Sequence, residues 1–315
     1  MNRSTPVIIT FIVLIGCCAL VSCATPRPRP VTPPPIPQSP PQTDHTSNDL
    51  PSILDLCPDD PDAMLMSSGE LTALPTELQS LSDRLDEVGQ TDADRPLVVV
   101  HYGDSHTKAA SLPRELRELF GSGPASPGYI APGHPMPGAW DASVSHSGAW
   151  TRHNWLYGRD TPSFGPMGLA YSTRAPGSRL RLKLKTQPAH GDRAKVTVLY
   201  QHTAGHLPFR LESEGTLLAS IPTVDSPVND FELGLVEVEL PPDAQTMELT
   251  VEGERSSGEF RFYGALVQYP DARIEWDTMG IGGTTIRGPV RRSDHTLDTY
   301  LNWRDPDLLV VWYWS

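Results

Sequence analysis

The chain has 315 residues, with 38 acidic against 25 basic side chains and a formal net charge of −13. That balance argues against a nucleic-acid-binding surface, which needs clustered lysine and arginine. The length is sufficient for one or two folded domains.

The first 22 residues have the pattern of a secretory signal peptide. One basic residue, Arg3, precedes an apolar run from Val7 to Leu20 that is short for a membrane span. The sequence Leu20-Val21-Ser22-Cys23 resembles the lipobox of bacterial lipoproteins. This resemblance implies cleavage before Cys23 and attachment of more than one acyl chain to it, which is enough for stable membrane anchoring. The alternative is an uncleaved N-terminal anchor helix.

Cysteine usage agrees with a lipidated chain. Cys17 and Cys18 lie within the predicted signal peptide, and Cys57 is then left without a partner for an internal disulfide. Ala24 after Cys23 is consistent with a place in the cell envelope, on the periplasmic face of the outer membrane in a Gram-negative host. No spacing matches a metal-ligand template, so we expect neither a metal nor another cofactor.

Residues 23–70 are predicted to form an extended tether. Twelve of the 33 prolines fall between Ala24 and Asp62, and such a stretch cannot form a core. The folded region is predicted to begin near Leu71. Apolar residues at spacings of three and four then predict a helix that ends at Gly89; they are Leu74, Leu78, Leu81, Leu85 and Val88.

The most informative motif is Gly103-Asp104-Ser105-His106, which follows the apolar run Leu97–Val100. The run predicts a buried strand, and Pro113–Phe120 predicts a helix with proline in its first turn. A strand, a tight turn and a helix present a side chain at the carboxyl edge of a sheet, so Ser105 is a candidate nucleophile. The alternative is an ordinary loop in which Asp104 or Ser105 caps a turn.

The middle of the chain predicts antiparallel β-structure. The run 121–138 is rich in Gly and Pro and predicts a loop. From Trp150 to Tyr269 the signals are of short alternating strands, which predict a β-sandwich inserted between two α/β segments. The clearest strand signals are Arg179–Lys185, Lys195–Tyr200, Val236–Leu240, Met247–Val251 and Phe260–Val267.

An α/β pattern returns near residue 271. Arg273–Asp277 and Leu308–Tyr313 predict two further strands, and the first is followed by Gly280-Ile281-Gly282-Gly283. Backbone N–H groups exposed by glycines at the end of a strand can stabilise an oxyanion. Glycine runs of this kind are also common in ordinary turns.

Together these residues resemble the SGNH, or GDSL-like, hydrolases and, among them, the peptidoglycan O-acetylesterases. His101–Thr107 matches the first block of that family, and Gly280–Thr285 matches the second. The resemblance implies an α/β fold class, a flavodoxin-like SGNH hydrolase fold with an inserted antiparallel, carbohydrate-binding-like β-sandwich. It also implies Ser105 as nucleophile, Gly283 as an oxyanion N–H donor and Asp104 as support for the turn.

The implied domain boundaries are 71–139 and 271–315 for two parts of the hydrolase domain, with the sandwich at 140–270. The family's Gly-Thr-Asn and Asp-x-x-His blocks are not found in the 315 residues. We therefore expect the family's catalytic base and acid to be missing and this chain to be a C-terminally incomplete hydrolase with little activity. Five nearby histidines are interpreted as ordinary exposed or hydrogen-bonded side chains, with a substitute catalytic base as the alternative role: His101, His106, His134, His146 and His153.

Two functions follow from this resemblance. One is a membrane-anchored ester hydrolase that removes acetyl groups from peptidoglycan or another cell-envelope glycan. The alternative is a catalytically inactive, glycan-binding envelope lipoprotein. Candidate aromatic side chains for stacking on sugar are Trp140, Trp150, Trp155 and Tyr157, and core packing is the alternative role for each. The expected partners are an acetylated sugar and, through Cys23, a membrane.

Overall fold

A computed structural model describes residues 76–89, 95–108, 125–132, 142–156, 163–186, 188, 192–225, 232–254, 258–284 and 296–313. All of these belong to the compact unit that contains Pro75–Ser315. The predicted signal peptide, Cys23, the tether and the predicted helix Pro113–Phe120 lie outside the described residues. Within the described part, no helix is both long and apolar enough to cross a membrane.

Four strands form a parallel sheet. Its order is β15 (Leu308–Trp312), β1 (Leu97–Gly103), β14 (Ile274–Gly280) and β2 (Ala125–Ser126). Every residue of β1 is buried, as expected for a Val-rich strand between two parallel neighbours. The register pairs Gly103 with Gly280 and with Trp312, so the carboxyl ends of three strands meet at one edge.

The other strands form two antiparallel sheets. One contains β10 (Thr216–Ile221), β9 (Phe209–Ser213), β12 (Thr246–Val251), β7 (Arg179–Leu184) and β4 (Ala142–Ser147). The second contains β11 (Glu232–Glu239), β8 (Lys195–His202), β13 (Phe260–Gln268), β6 (Leu169–Thr173) and β5 (Thr151–Asn154), with β3 (Gly128–Ile130) also paired to β13. The two sheets bury a shared core, and the strands predicted from alternation are all present.

Binary patterning explains how the sandwich forms. Along β7 the leucines are buried and the intervening Arg179, Arg181 and Lys183 are exposed, because successive side chains of a strand point to opposite faces. A second apolar cluster joins the sandwich to the parallel sheet, with Tyr263 and Leu266 of β13 among residues of β1 and β14. This contact holds the sandwich beside the parallel sheet.

Three helices are described: α1 (Thr76–Gly89), α2 (Ser105–Lys108) and α3 (Thr296–Arg304). Helix α1 ends at Gly89, as the sequence predicts. Leu81 and Leu85 pack with buried Val88 against the parallel sheet, which confirms this part of the predicted apolar face. Leu74 and the side chain of Leu78 lie outside the described part of the chain.

A buried ion network fixes α3 to the parallel sheet. Arg304 of α3 donates from Nε to Asp277 Oδ2 at 2.7 Å and lies 2.6 Å from Glu275 Oε2, both on β14. The Tyr300 hydroxyl donates to Asp277 Oδ2 at 2.6 Å. Burial alone would lower the pKa of Arg304, but the two carboxylates raise it instead. We call Glu275, Asp277, Tyr300 and Arg304 the buried network.

The predicted fold class, α/β with a flavodoxin-like sheet, is wrong. Eleven of the fifteen described strands lie in the two antiparallel sheets. The parallel sheet has four strands, of which β2 is only two residues long, and the described helices are few and short for a doubly wound fold. The predicted loop 121–138 also contains β2 and β3. Local motifs identified parallel strands correctly, but the alternating runs supply most of the structure.

Candidate functional site

Ser105 lies exposed at the carboxyl edge of the parallel sheet. Strand β1 ends at Gly103, Asp104 is buried at the helix-capping position, and Ser105 is the first residue of α2. The Lys108 backbone N–H donates to the Asp104 carbonyl at 2.9 Å, which closes the first helical turn. The chain therefore turns sharply after β1 and presents the serine to solvent.

Two glycines allow α2 to lie directly on the strand ends. A Cβ atom at Gly103 would overlap the Thr107 side chain and would lie 2.5 Å from the Trp312 carbonyl oxygen. A Cβ atom at Gly280 would overlap the backbone nitrogen of Lys108. A side chain at Gly280 would therefore require the backbone of α2 to move, and one at Gly103 would require Thr107 and the end of β15 to move.

The turn after β14 brings a third glycine against Ser105. The Ile281 N–H donates to the Gly103 carbonyl at 3.0 Å, which ties this turn to the end of β1. A Cβ atom at Gly282 would lie 3.6 Å from Ser105 Cβ and 3.8 Å from Lys108 Nζ. Gly282 and Lys108 therefore adjoin the serine, and neither is among the site residues predicted from the sequence.

Gly283, the predicted oxyanion donor, lies in the same turn. Its φ angle of 82° is in the left-handed region that favours glycine. The nearest atom to a Cβ built there is Leu156 Cδ1, at 3.9 Å. Leu156 follows β5, so one side of this turn faces the sandwich and the other faces Ser105.

A second cation, Arg152 on β5 of the sandwich, affects Lys108. Burial, together with the positive charge of Arg152 on β5, lowers the pKa of Lys108. Neither cation has an ion pair with a carboxylate in the part of the chain that the structure describes. We call Ser105, Lys108, Arg152, Gly282 and Gly283 the edge site.

His101 holds α2 from below. Its Nε2 lies 3.2 Å from Thr107 Oγ1, both side chains are fully buried, and the ring packs edge-on against Trp276. Burial lowers the pKa of His101 to about 4. Because Thr107 points inward to this histidine, Ser105 and Lys108 occupy the other side of the helical turn.

The other described histidines of the sequence prediction contact different partners. His146 packs on Tyr171, with ring centroids 5.2 Å apart, and His153 Nε2 lies 2.8 Å from Ser172 Oγ. Burial and the Arg261 cation lower the pKa of His153. His134 and the side chain of His106 lie outside the described part of the chain. Among the described residues, no cluster of His, Cys, Asp and Glu is placed to hold a metal.

Two of the predicted stacking aromatics contact the core. Trp150 donates from Nε1 to the Ser147 carbonyl at 3.0 Å, and its ring packs edge-on against Phe260. Trp155 packs, partly buried, on the cluster between the sandwich and the parallel sheet. These contacts fit the core-packing alternative, and Trp140 and Tyr157 lie outside the described residues.

A polar pocket of about 460 Å³ lies at the β5–β6 side of the sandwich. It is lined by Ala149, Thr151, Ser172, Thr173, Arg174, Ala175 and Glu259. Glu259 accepts from Arg261 Nη2 at 2.7 Å and from Arg174 Nε at 3.3 Å. Burial would raise the pKa of Glu259, but the hydrogen bonds and charge of Arg261 lower it, so this carboxyl is held ionised.

Solved structures resemble this chain in fold. A peptidoglycan O-acetylesterase structure matches with a TM-score of 0.50 and 17% identity, over 75% of this chain and 60% of that chain. The CBM6 module of Cellvibrio mixtus lichenase 5A, in complex with cellotriose, matches with a TM-score of 0.27 and 12% identity, over 39% of this chain and 88% of that one. No protein-family model and no curated protein sequence matches the chain. The first likeness shows a shared fold over the aligned residues.

Proposed function

We propose that this protein is a serine ester hydrolase that removes acetyl groups from a cell-envelope glycan. The observation that carries the proposal is the edge site. An exposed serine stands on the turn after β1, with Gly282 against it and Gly283 in the same turn. A nucleophile next to exposed backbone N–H groups at a strand end is the arrangement that acyl transfer needs.

In the proposed reaction, the Ser105 hydroxyl oxygen attacks the carbonyl carbon of the acetyl ester. The backbone N–H groups of Ser105 and Gly283 stabilise the negative charge that develops on the carbonyl oxygen. The bond to the sugar oxygen breaks, the sugar hydroxyl leaves with a proton, and the acetyl group stays on Ser105. Water then releases acetate and restores the serine. Asp104, buried at the cap of α2, fixes the turn that presents Ser105.

The proposal for a glycan as substrate rests on what surrounds the serine. The turn that carries Gly283 faces Leu156, which lies two residues after β5 of the sandwich. A bound substrate would therefore touch both the parallel sheet edge and the sandwich. The resemblance of His101–Thr107 to the peptidoglycan O-acetylesterases supports an acetylated envelope sugar.

The test is acetate release from O-acetylated peptidoglycan by the purified protein. We expect the wild type to release acetate, more slowly than a hydrolase that has the Asp-x-x-His block, and Ser105→Ala to lose this release. Ser220 on β10 is also exposed but lies in the other sheet, so Ser220→Ala is the matched control with wild-type rate. Equal rates in Ser105→Ala and Ser220→Ala would reject the proposal.

A second candidate function, glycan binding without catalysis, is favoured by the polar pocket near Glu259. Its threonines, serine, arginine and carboxylate offer both donors and acceptors for sugar hydroxyls. In this case the protein would sediment with insoluble peptidoglycan and release no acetate, and Arg174→Ala would weaken sedimentation. Binding that is unaffected by Arg174→Ala would place the glycan elsewhere.

We also propose that Cys23 is lipidated and tethers the folded unit to a bacterial membrane, from the Leu20–Cys23 sequence. In a bacterial host, the protein should then incorporate labelled palmitate and fractionate with membranes. Cys23→Ala should abolish both, whereas Cys57→Ala should change neither. Label that persists in Cys23→Ala would contradict lipidation at this residue.

A further inference from the structure

Ser105 and Lys108 form a Ser-x-x-Lys pair on a single helical turn. Residues three positions apart lie on the same side of a helix, so the lysine stem runs beside the serine. The same spacing sets a lysine next to the nucleophilic serine in β-lactamases and penicillin-binding proteins. The family resemblance assigns no role to Lys108.

The two side chains border the same space at the edge site. Ser105 Cβ and Lys108 Nζ both lie within 4 Å of the position that a Cβ atom at Gly282 would occupy. Because residue 282 is a glycine, this position places no side chain between the lysine and the hydroxyl. Thr107 is turned away, toward His101, so it does not compete for the lysine.

The surroundings of Lys108 lower its pKa below the ordinary value of a lysine. Asp104 and His101 flank the helix on the β1 side, and on β14 Asp277 is engaged by Arg304 and Tyr300. No described carboxylate forms an ion pair with Lys108. Burial, and then the like charge of Arg152 on β5, lower the pKa of Lys108. A lysine that is desolvated beside another cation is more readily present as the free amine.

We propose that Lys108 is the general base for Ser105, an inference that rests on the proposed ester hydrolysis. The neutral amine takes the hydroxyl proton as the serine oxygen bonds to the ester carbonyl carbon. The resulting ammonium returns the proton to the sugar oxygen as the carbon–oxygen bond breaks. In the second half, the amine takes a proton from water, and Ser105 recovers a proton as acetate leaves. This chemistry needs no Asp-x-x-His block.

Lys108→Arg separates proton transfer from charge. Arginine keeps the long stem and the positive charge but does not release a proton near neutral pH. With p-nitrophenyl acetate as probe, we expect kcat to fall about 10²- to 10⁴-fold. Labelling of Ser105 by a fluorophosphonate probe should slow in parallel. Lys183→Arg, at an exposed position of β7, is the matched control and should retain the wild-type kcat.

Arg152→Gln tests the same assignment without altering the base. Removing this cation raises the pKa of Lys108, so the rise of kcat/KM with pH should move to higher pH, while Arg152→Lys should leave it in place. Two results would overturn the base assignment while Ser105-dependent hydrolysis stands. One is an unmoved pH profile of kcat/KM in Arg152→Gln. The other is wild-type kcat and labelling in a folded Lys108→Arg. Hydrolysis that survives Ser105→Ala would overturn both the proposed function and the base.

Discussion

The edge site and the buried network lie on the same parallel sheet. The charges of the buried network are paired, whereas the cations of the edge site have no described ion pair. In the buried network, Arg304 contacts both Glu275 and Asp277, and all three side chains are nearly free of solvent contact. In the edge site, burial and the charge of Arg152 lower the pKa of Lys108, and neither cation has a described carboxylate partner. Both regions use β14, one through its side chains and the other through the glycine turn after it.

The contrast shows which charges serve stability and which are available for chemistry. A buried charge without a partner is costly, so two carboxylates match the arginine of the network, and the Tyr300 hydroxyl donates to one of them. Burial and a second cation destabilise the charged form of a half-buried lysine and lower its pKa. We infer that the buried network holds β14 in place while the edge site uses its end.

The largest expected effect on stability comes from breaking the buried network. Asp277→Asn removes one of the two carboxylates that face Arg304 and should lower the free energy of unfolding by about 3–5 kcal/mol. Chemical denaturation measures this. Asp298→Asn, at an exposed position of the same helix α3, is the control and should cost less than about 1 kcal/mol. Similar losses in both variants would contradict a structural role for the network.

Next in size is a pH effect from His101. Its pKa is about 4 in the folded protein and near 6.5 when exposed, so between these values the unfolded state binds the extra proton. Stability should therefore fall as the pH drops from 6.5 to 4, by about 3 kcal/mol from this residue alone. His101→Gln should have a flatter stability profile over that range. Parallel profiles of wild type and His101→Gln would show that His101 is not the group responsible.

Two glycine variants then distinguish the stability of the turn that carries the edge site from the activity of the site. Gly280→Ala would overlap the Lys108 backbone and should lower stability by about 1–3 kcal/mol. Gly282→Ala meets its neighbours at ordinary contact distances, so stability should change by less than about 0.5 kcal/mol. Its methyl group would nevertheless come between Ser105 and Lys108, and kcat/KM should fall about ten- to a hundredfold. A fully active Gly282→Ala would mean that the space between these side chains is not used.

The smallest effect is expected at an exposed ion pair. Lys195 Nζ lies 2.8 Å from Glu237 Oε2, but both side chains are largely in solvent. Glu237→Gln should change stability by less than about 0.5 kcal/mol, and less still at high salt. A loss comparable to that of Asp277→Asn would remove the distinction between buried and exposed charges on which the comparison rests.

Sequence patterns predicted the local elements better than the fold class. The alternation in Arg179–Lys185 and the buried run Leu97–Val100 each correspond to an observed strand, because side-chain periodicity reports the local environment of a segment. How many strands join each sheet is a property of long-range pairing, which periodicity does not report. The hydrolase motif lies on the parallel strands, so it predicted an α/β class for a chain whose described strands are mostly antiparallel.

The candidate site was predicted in part for a similar reason. Ser105 stands out because of its position after a buried strand, and Gly283 because of its glycine cluster. The effect of Arg152 on Lys108 depends on how the sandwich packs on the parallel sheet. A local sequence pattern does not predict such packing. The Ser-x-x-Lys spacing at Ser105 is visible in the sequence. Whether Lys108 can act on Ser105 depends on the open space that Gly282 leaves.

The most direct test of the account is to trap the covalent intermediate. The protein is mixed with an acetyl ester, quenched in acid within one turnover, digested and analysed by mass spectrometry. The account predicts one added acetyl group on the peptide that contains Ser105, with slower accumulation in Lys108→Arg. Turnover of the ester with no acetyl group on Ser105, or with the acetyl group on another residue, would contradict the central claim.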